Sequence, residues 1–284
     1  MVVLDDMSTG WIERLSAVLD RIELIEGSIL DDDALDRSMI GCAGVLHQAA
    51  LASVARSVED PLSTNEVNVT GTVRLMLAAG RAAVPRVVFA GSSSVYGSEG
   101  ELPRRESQRC DPASPYATSK LAGEAYLHAM GDLLGIQTAS LRYFNVFGPG
   151  QDPKSEYAAV VPRFVTAALT GAEPVVFGDG GTTRDFTYVD NVVQANLRAL
   201  DAPSLDRLTC NIGCGERASL LELIALIGDS VGRTLEPTFA TPRAGDVRDS
   251  LADITVARER LGYEPEIGLA EGVARTVAWY RSAR

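Results

Sequence analysis

Two histidines and four cysteines are all the soft metal ligands that these 284 residues offer. The cysteines, Cys42, Cys110, Cys210 and Cys214, fall in no paired metal-ligand spacing, and with only His47 and His128 beside them a zinc site is not expected. They read as thiols of a reducing cytoplasm rather than as a disulfide framework. Positive charge is also scarce: 26 Lys and Arg stand against 38 Asp and Glu, for a net charge of −12 with no basic block. Nucleic acid and anionic membranes are therefore poor electrostatic partners, and an anionic substrate needs a local cluster of Arg or Lys. No apolar run reaches membrane-spanning length, and the first residues lack the basic-then-apolar pattern of a secretory signal. Internal repeats and low-complexity tracts are missing too. What remains is 46% hydrophobic, enough to bury a large core in one domain or two lobes, and is expected in the cytoplasm.

The beginning of the chain lacks something as well. It opens MVVLDDMSTG, a short apolar run that meets Asp5 and Asp6 and then a small-residue turn. In a nucleotide-binding α/β protein the second strand ends this way, with a carboxylate placed for an adenosine ribose, and a glycine-rich phosphate loop comes earlier. No such loop precedes Met1. Further on, β-branched runs (VVLD, IELIEG, GVLHQAA, RVVFAGSSS, QTASLRYFN) alternate with helix-period stretches around Ile12 to Leu19, Asp33 to Met39, Pro61 to Arg81 and Pro115 to Leu134. That alternation predicts βαβ units and a mostly parallel sheet. After FNVFGPGQDP the texture turns to more Pro and Gly with shorter elements, which places a boundary near Gly148 to Asp152. Residues 1–150 are then the first lobe and 151–284 a smaller mixed lobe, with 186–200 returning to the first.

The most informative stretch is SPYATSKLAGEAY. Ser114 suits a helix N-cap and Pro115 the first helical position, so Tyr116 and Lys120 lie four apart on one face. A phenol has an unperturbed pKa near 10, and lowering it by about 3 units takes roughly 4 kcal/mol of preferential phenolate stabilisation. A neighbouring ammonium and a cationic nicotinamide ring are able to supply that. Any Tyr and Lys at helical spacing share a face, however, so the pair alone is also compatible with ordinary surface chemistry. One strand earlier stands VVFAGSSSVYG, whose hydroxyls at Ser92, Ser93 and Ser94 either cap a loop or orient a substrate oxygen for Tyr116.

With these segments on view, the chain resembles the extended short-chain dehydrogenase/reductase family, in its NAD-dependent epimerase/dehydratase branch. The likeness runs from Val2 to about Tyr280 through LDDMSTG, HQAALASVARSVEDP, NVTGT, GSSSVYG, SPYATSK, LRYFNVFGP, TTRDFTYVDN and PRAGDVRDSLAD. Within the family it is similar to the UDP-N-acetylhexosamine and UDP-glucose 4-epimerases. The resemblance implies a Rossmann-like doubly wound parallel sheet that binds NAD, and a C-terminal lobe that binds a UDP-sugar. It makes Tyr116 the general base, Lys120 the ligand of the nicotinamide ribose and Ser92 the hydroxyl partner. Asp5 would hold the adenosine ribose with Asp6 and Ser8 nearby, and Ser28, Ile29, Gln48, Ala49, Ala50, Asn68, Tyr143 and Phe144 would line the cofactor. Ser28 stands where many relatives carry an Asp for the adenine. Arg184 and Arg243 would meet the substrate diphosphate, the local positive charge an acidic protein needs. Asn145, Phe177 and Asp246 would also contact the nucleotide, and Ser53 the sugar. Ser250 stands where relatives restricted to glucose and galactose carry Tyr, which leaves room for a 2-acetamido group.

The implied reaction is epimerisation at C4 of a UDP-hexose or UDP-N-acetylhexosamine through a 4-keto sugar. Two rivals stay open. A 4,6-dehydratase or decarboxylase of the same family needs an acid after the catalytic hydroxyl, where this chain has Ser93 and Ser94. A non-catalytic remnant that binds UDP-sugar is the other, because the G-x-x-G-x-x-G turn that cradles a pyrophosphate is absent. The expectation drawn from that absence is an N-terminal truncation of about 25 to 30 residues, with the missing first strand leaving unpaired ladder groups mid-sheet. By resemblance the segments Pro61 to Arg81 and Pro115 onward pair with a second copy in a homodimer, or else they pack on the sheet.

Overall fold

The computed structural model describes residues 1–152, 160–241 and 248–282. Strands β1 (Val2–Asp5) and β2 (Glu23–Glu26) lead to helix α1 (Asp32–Met39), then β3 (Val45–His47) and the short helices α2 (Val54–Glu59) and α3 (Pro61–Asn65). One π-helical turn, Glu66–Thr70, runs into α4 (Gly71–Arg81), followed by β4 (Arg86–Ser92), α5 (Pro115–Leu134) and β5 (Gln137–Tyr143). Next come β6 (Val146–Phe147), α6 (Val160–Thr170), β7 (Val175–Phe177), β8 (Thr183–Arg184), β9 (Thr187–Tyr188) and α7 (Val189–Asp201). The described chain ends with β10 (Leu208–Ile212), β11 (Ala218–Ser219), α8 (Leu220–Val231), β12 (Thr238–Ala240), α9 (Thr255–Leu261) and α10 (Leu269–Ser282).

Packing divides the chain into two compact units that interleave in sequence. The first comprises Met1–Val95, Ser114–Leu141 and Ala199–Thr209; the second comprises Tyr96–Ala113, Arg142–Arg198 and Cys210–Arg284. A single boundary near residue 150 does not describe this division. The loop 96–113 and the end of β5 pack with the second unit, which takes in slightly more of the chain than the first, and the returning segment is 199–209 rather than 186–200.

In the first unit, β4 illustrates how burial on both faces is written in sequence. Its run Val87, Val88, Phe89 and Ala90 is buried throughout, as an interior parallel strand requires. Strand order is β10-β5-β4-β3, with β3 parallel to β4 from Val45↔Val87 to His47↔Phe89. Leu35 and Met39 of α1, Leu75, Met76 and Ala79 of α4, and Leu127 of α5 close over Val87 and Phe89 in one apolar cluster. Truncating Phe89 to Ala would cost about 3–5 kcal/mol. Helix α5 approaches β4 closely because Gly123 faces it: a Cβ there would sit 2.9 Å from the Phe89 ring. A larger residue at 123 would push away the helix that carries Tyr116 and Lys120.

Strands β1 and β2 form a separate parallel pair, in register from Val2↔Glu23 to Asp5↔Glu26. Leu4 of β1 and Val45 of β3 pack against the same cluster, yet β1 bonds only β2 and β3 only β4. Among the described residues the free edges of β1 and β3 therefore have no partner strand. Leu46 in β3 is 37% exposed, which is high for a doubly wound sheet.

The second unit is held by α6, α8 and α10, whose Phe164, Val165, Leu223, Ile227, Val273 and Val277 pack with Phe147, Val176, Phe186 and Tyr188. Its strands make small pairs, β6 with β9, β7 with β12, and β8 antiparallel to β11. Asp185, fully buried between β8 and β9, accepts the backbone N–H groups of Cys214, Gly215 and Ala252 at 2.8, 3.0 and 3.1 Å. Burial raises its pKa to about 6 against those donors.

Candidate active site

The first turn of α5 holds the chemistry-bearing side chains, and its start is closed as the sequence predicts. The Ser114 hydroxyl accepts the Ala117 N–H at 3.1 Å, and Pro115 occupies the position where no N–H is needed. β4 ends at Ser92, whose hydroxyl bonds the Ser94 hydroxyl at 2.8 Å and is near enough to the Tyr116 phenol to favour its ionised form. Tyr116, Lys120 and Ser92, distant in sequence, are thus brought together within the first unit.

Lys120 is 4% exposed, and its ammonium donates to the Ala90 carbonyl at 2.9 Å and lies 5.0 Å over the Phe89 ring. Burial lowers its pKa from 10.5 to about 8. Tyr116 differs from the sequence expectation. Burial pushes the phenol above its ordinary 10 and the nearby Ser92 hydroxyl only partly opposes this. The ammonium is engaged with Ala90, so the protein's own groups leave the phenol raised rather than depressed.

Three residues that sequence reading passed over support this turn. His47 is buried, bonds the Thr72 hydroxyl at 2.9 Å and sets its ring at a tilt 5.4 Å from that of Phe89. Burial, and secondarily the Lys120 charge, lower its pKa from 6.5 to about 3, so it is neutral. Ser119 accepts from the Asn68 amide at 2.9 Å and donates to the Tyr116 carbonyl at 2.8 Å. Ser57, fully buried in α2, accepts the Tyr116 N–H at 3.0 Å. The available signal was the S-V-x-x-S spacing after QAALA, which shows a second serine one helical turn beyond Ser53.

The residues expected at the cofactor divide by what their side chains do. Asp5 is exposed at the end of β1, and Met7, at φ 55°, turns back so that its N–H donates to Asp5 Oδ1 at 2.8 Å. Asp6 and Ser8 bond each other, Oγ to Oδ1 at 2.6 Å. Ser28 accepts the Leu30 N–H at 3.1 Å, whereas the Ile29 side chain is core, pressed under Gly71. Gln48 and Ala49 are exposed in the loop after β3, and Ala50 is half-buried. Asn68 is 2% exposed and its amide is used inside the protein, on Ser119 and on both backbone groups of Leu51. Ser53 caps α2 by accepting the Arg56 N–H at 3.2 Å.

Tyr143 and Phe144 belong to the second unit. The Tyr143 hydroxyl accepts from the Asn196 amide at 2.8 Å, and Phe144 is 1% exposed with its ring 6.3 Å from Tyr96. In the same unit Asn145 donates to the Asp185 carbonyl at 2.9 Å and to the Ser250 hydroxyl at 3.2 Å. Arg184 donates to the Thr183 and Arg248 carbonyls, each at 2.9 Å, and Arg163 lies 5.6 Å over the Phe177 ring. Arg243 and Asp246 lie outside the described residues.

Parallel strand pairs joined through helices define a Rossmann-type nucleotide-binding protein. The sequence model of the NAD dependent epimerase/dehydratase family matches residues 5–213, and the chain belongs to that family. It is 42% identical to a UDP-glucose 4-epimerase of Mycolicibacterium smegmatis over 99% of this chain and 91% of that protein. A UDP-N-acetylglucosamine 4-epimerase from Methanobrevibacter ruminantium, solved with UDP-N-acetylmuramic acid, superposes with a TM-score of 0.95 at 34% identity, covering 100% of this chain and 91% of that one. A Thermus thermophilus UDP-glucose 4-epimerase, solved with NAD, gives a TM-score of 0.89 at 34% identity with the same coverages.

In the first unit Asp5 and Lys120 are the residues that would hold the two ends of NAD. A Cβ at Gly10 would stand 3.3 Å from Asp5 Oδ1, so glycine there keeps the carboxylate uncovered for a ribose. At the other end Lys120 offers an ammonium beside the Tyr116 turn. The glycine-rich pyrophosphate turn is not in the sequence.

Proposed function

We propose that this chain interconverts C4 epimers of UDP-hexoses and UDP-N-acetylhexosamines, with NAD as cofactor. The observation that carries the reading is Tyr116 in the first turn of α5 with Lys120 one turn along, its ammonium bonded to the Ala90 carbonyl two residues before Ser92 at the end of β4. Tyr116 removes the proton of the sugar 4-hydroxyl and returns it, and Ser92 shares the hydrogen bond to that oxygen. Asp5 and Lys120 hold the adenosine and nicotinamide riboses, with the backbone around Ser28, Ile29 and the Gln48–Ala50 loop beside them. NAD, when bound, supplies a reversible hydride acceptor. In the second unit Arg184 and Arg243 meet the diphosphate, while Asn145, Phe177, Asp246 and Ser250 line the uridine and sugar. Ser93 and Ser94 are not acids at neutral pH, which disfavours dehydration.

Purified protein given UDP-galactose, and separately UDP-N-acetylgalactosamine, should form the C4 epimer of each. A stable 4-keto-6-deoxy product would identify a dehydratase instead. Denaturing the protein and finding near-stoichiometric NAD in the supernatant tests the cofactor and removes the remnant alternative.

The assembly fitting this reading is a homodimer. Val58, Leu62, Tyr126 and Leu133, on α2, α3 and α5, are 64, 81, 48 and 84% exposed. Burying such residues against a second copy is the simplest use of them, and light scattering on the eluted protein measures the mass. Among the described residues no helix is long and apolar enough to cross a membrane. None of the four cysteines forms a disulfide, which suits the cytoplasm.

A further inference from the structure

A helix leaves its first N–H groups without intrahelical partners, and each must be met from elsewhere when the helix start is covered. At α5 these donors are accounted for one by one. Pro115 has none, and Ala117 is met by the capping Ser114 hydroxyl at 3.1 Å. Tyr116, between them, is met by nothing on its own helix. Its N–H goes to the Ser57 hydroxyl at 3.0 Å, a residue 59 positions away.

We propose that Ser57 is a positioning residue for the catalytic turn, setting the register of α5 and with it the place of the Tyr116 phenol. This rests on the reading of Tyr116 as the base. Ser57 is 0% exposed, and its own hydroxyl proton is committed to the Val54 carbonyl at 2.6 Å. A hydroxyl has one donor and two lone pairs, so fixing the donor turns a lone pair toward Tyr116. The carbonyl of the same residue is fixed separately, by the Ser119 hydroxyl at 2.8 Å, and Ser119 is held by Asn68 at 2.9 Å. Both backbone polar groups of Tyr116 are therefore pinned by side-chain hydroxyls, one of them from α2. The phenol hangs from that peptide unit, and small displacements of reacting groups are costly to turnover.

The test compares Ser57→Ala, Ser57→Cys and Ser57→Thr in the full chain, reading epimerase kcat and KM, thermal midpoint and hydrogen exchange at the residue-116 amide. Cysteine is near serine in size and a weak acceptor, and serves if the alanine variant does not fold. Threonine keeps the hydroxyl. The expected result is a kcat lower by about tenfold with KM within about twofold, the magnitude of a sub-ångström misplacement. Exchange at the 116 amide accelerates at least as much, and threonine restores both. Unchanged kcat, unchanged exchange, or a loss that follows the thermal midpoint and is not restored by threonine overturns the proposal. Tyr116→Phe separates this from the functional reading, because it removes the phenol and keeps the N–H. Retained turnover in that variant defeats the role of Tyr116, whereas amide exchange reports on Ser57 either way.

Discussion

The Lys120 ammonium is bonded to the Ala90 carbonyl at 2.9 Å, so α5 is tied to the middle of β4 at the same turn that bears Tyr116. That bond gives the charge a structural task there, and whether it also acts on the phenol is open to measurement. Burial raises the Tyr116 pKa, and any base function near neutral pH needs positive charge against the phenol.

Lys120→Met should therefore move the activity profile, not only its height. With the ammonium gone the phenol stays protonated to higher pH, so the rising limb of kcat against pH should shift upward by a unit or more. An unshifted limb would show that Lys120 acts by binding alone.

Tyr116→Phe should lower kcat by about 10³-fold, within the usual range for a lost general acid–base group. Ser92→Ala should cost less, about 10- to 100-fold, since it removes one hydrogen bond and leaves the base in place. Far-UV dichroism and thermal midpoints of both variants should match the parent, because neither side chain belongs to the apolar cluster around Phe89.

The strands and the α5 start were legible because each follows from local pattern. A β-branched run, an N-cap with proline, and a four-residue spacing carry their own geometry. Ser57, Ser119 and Asp185 were not legible as working residues. Their roles are set by partners 59, 51 and 67 positions away, to Tyr116, Asn68 and Ala252, and a serine or buried aspartate looks the same in sequence whichever partner it finds. The phenol pKa went astray for a similar reason: helical spacing places an ammonium on the right face, but only packing shows that it is bonded to Ala90.

Ser250 carries the specificity prediction. Its hydroxyl accepts from Asn145 at 3.2 Å, and its side chain is small. Ser250→Tyr should keep turnover of UDP-glucose and UDP-galactose within several-fold and cut kcat/KM for the N-acetylated pair by 100-fold or more, since a bulky ring cannot share the space with an acetamido group. Equal losses on both pairs would place Ser250 away from the sugar 2-position.

His47 supplies a pH dependence of stability whose sign is fixed by its burial. Its folded pKa is about 3 against 6.5 for the free side chain, so between those values the unfolded chain binds a proton that the folded chain does not. Stability from this group is present above pH 6.5 and is lost as pH falls toward 3, at up to about 1.4 kcal/mol per pH unit. The neighbouring Lys120 charge adds to the effect, and the Thr72 hydroxyl bonds the ring at 2.9 Å. His47→Gln keeps a polar group for Thr72 but has no proton to gain. Urea midpoints at pH 7.5, 6.0 and 5.0 should fall less steeply in the variant than in the parent. Parallel slopes would mean that the ring is not held neutral by the fold.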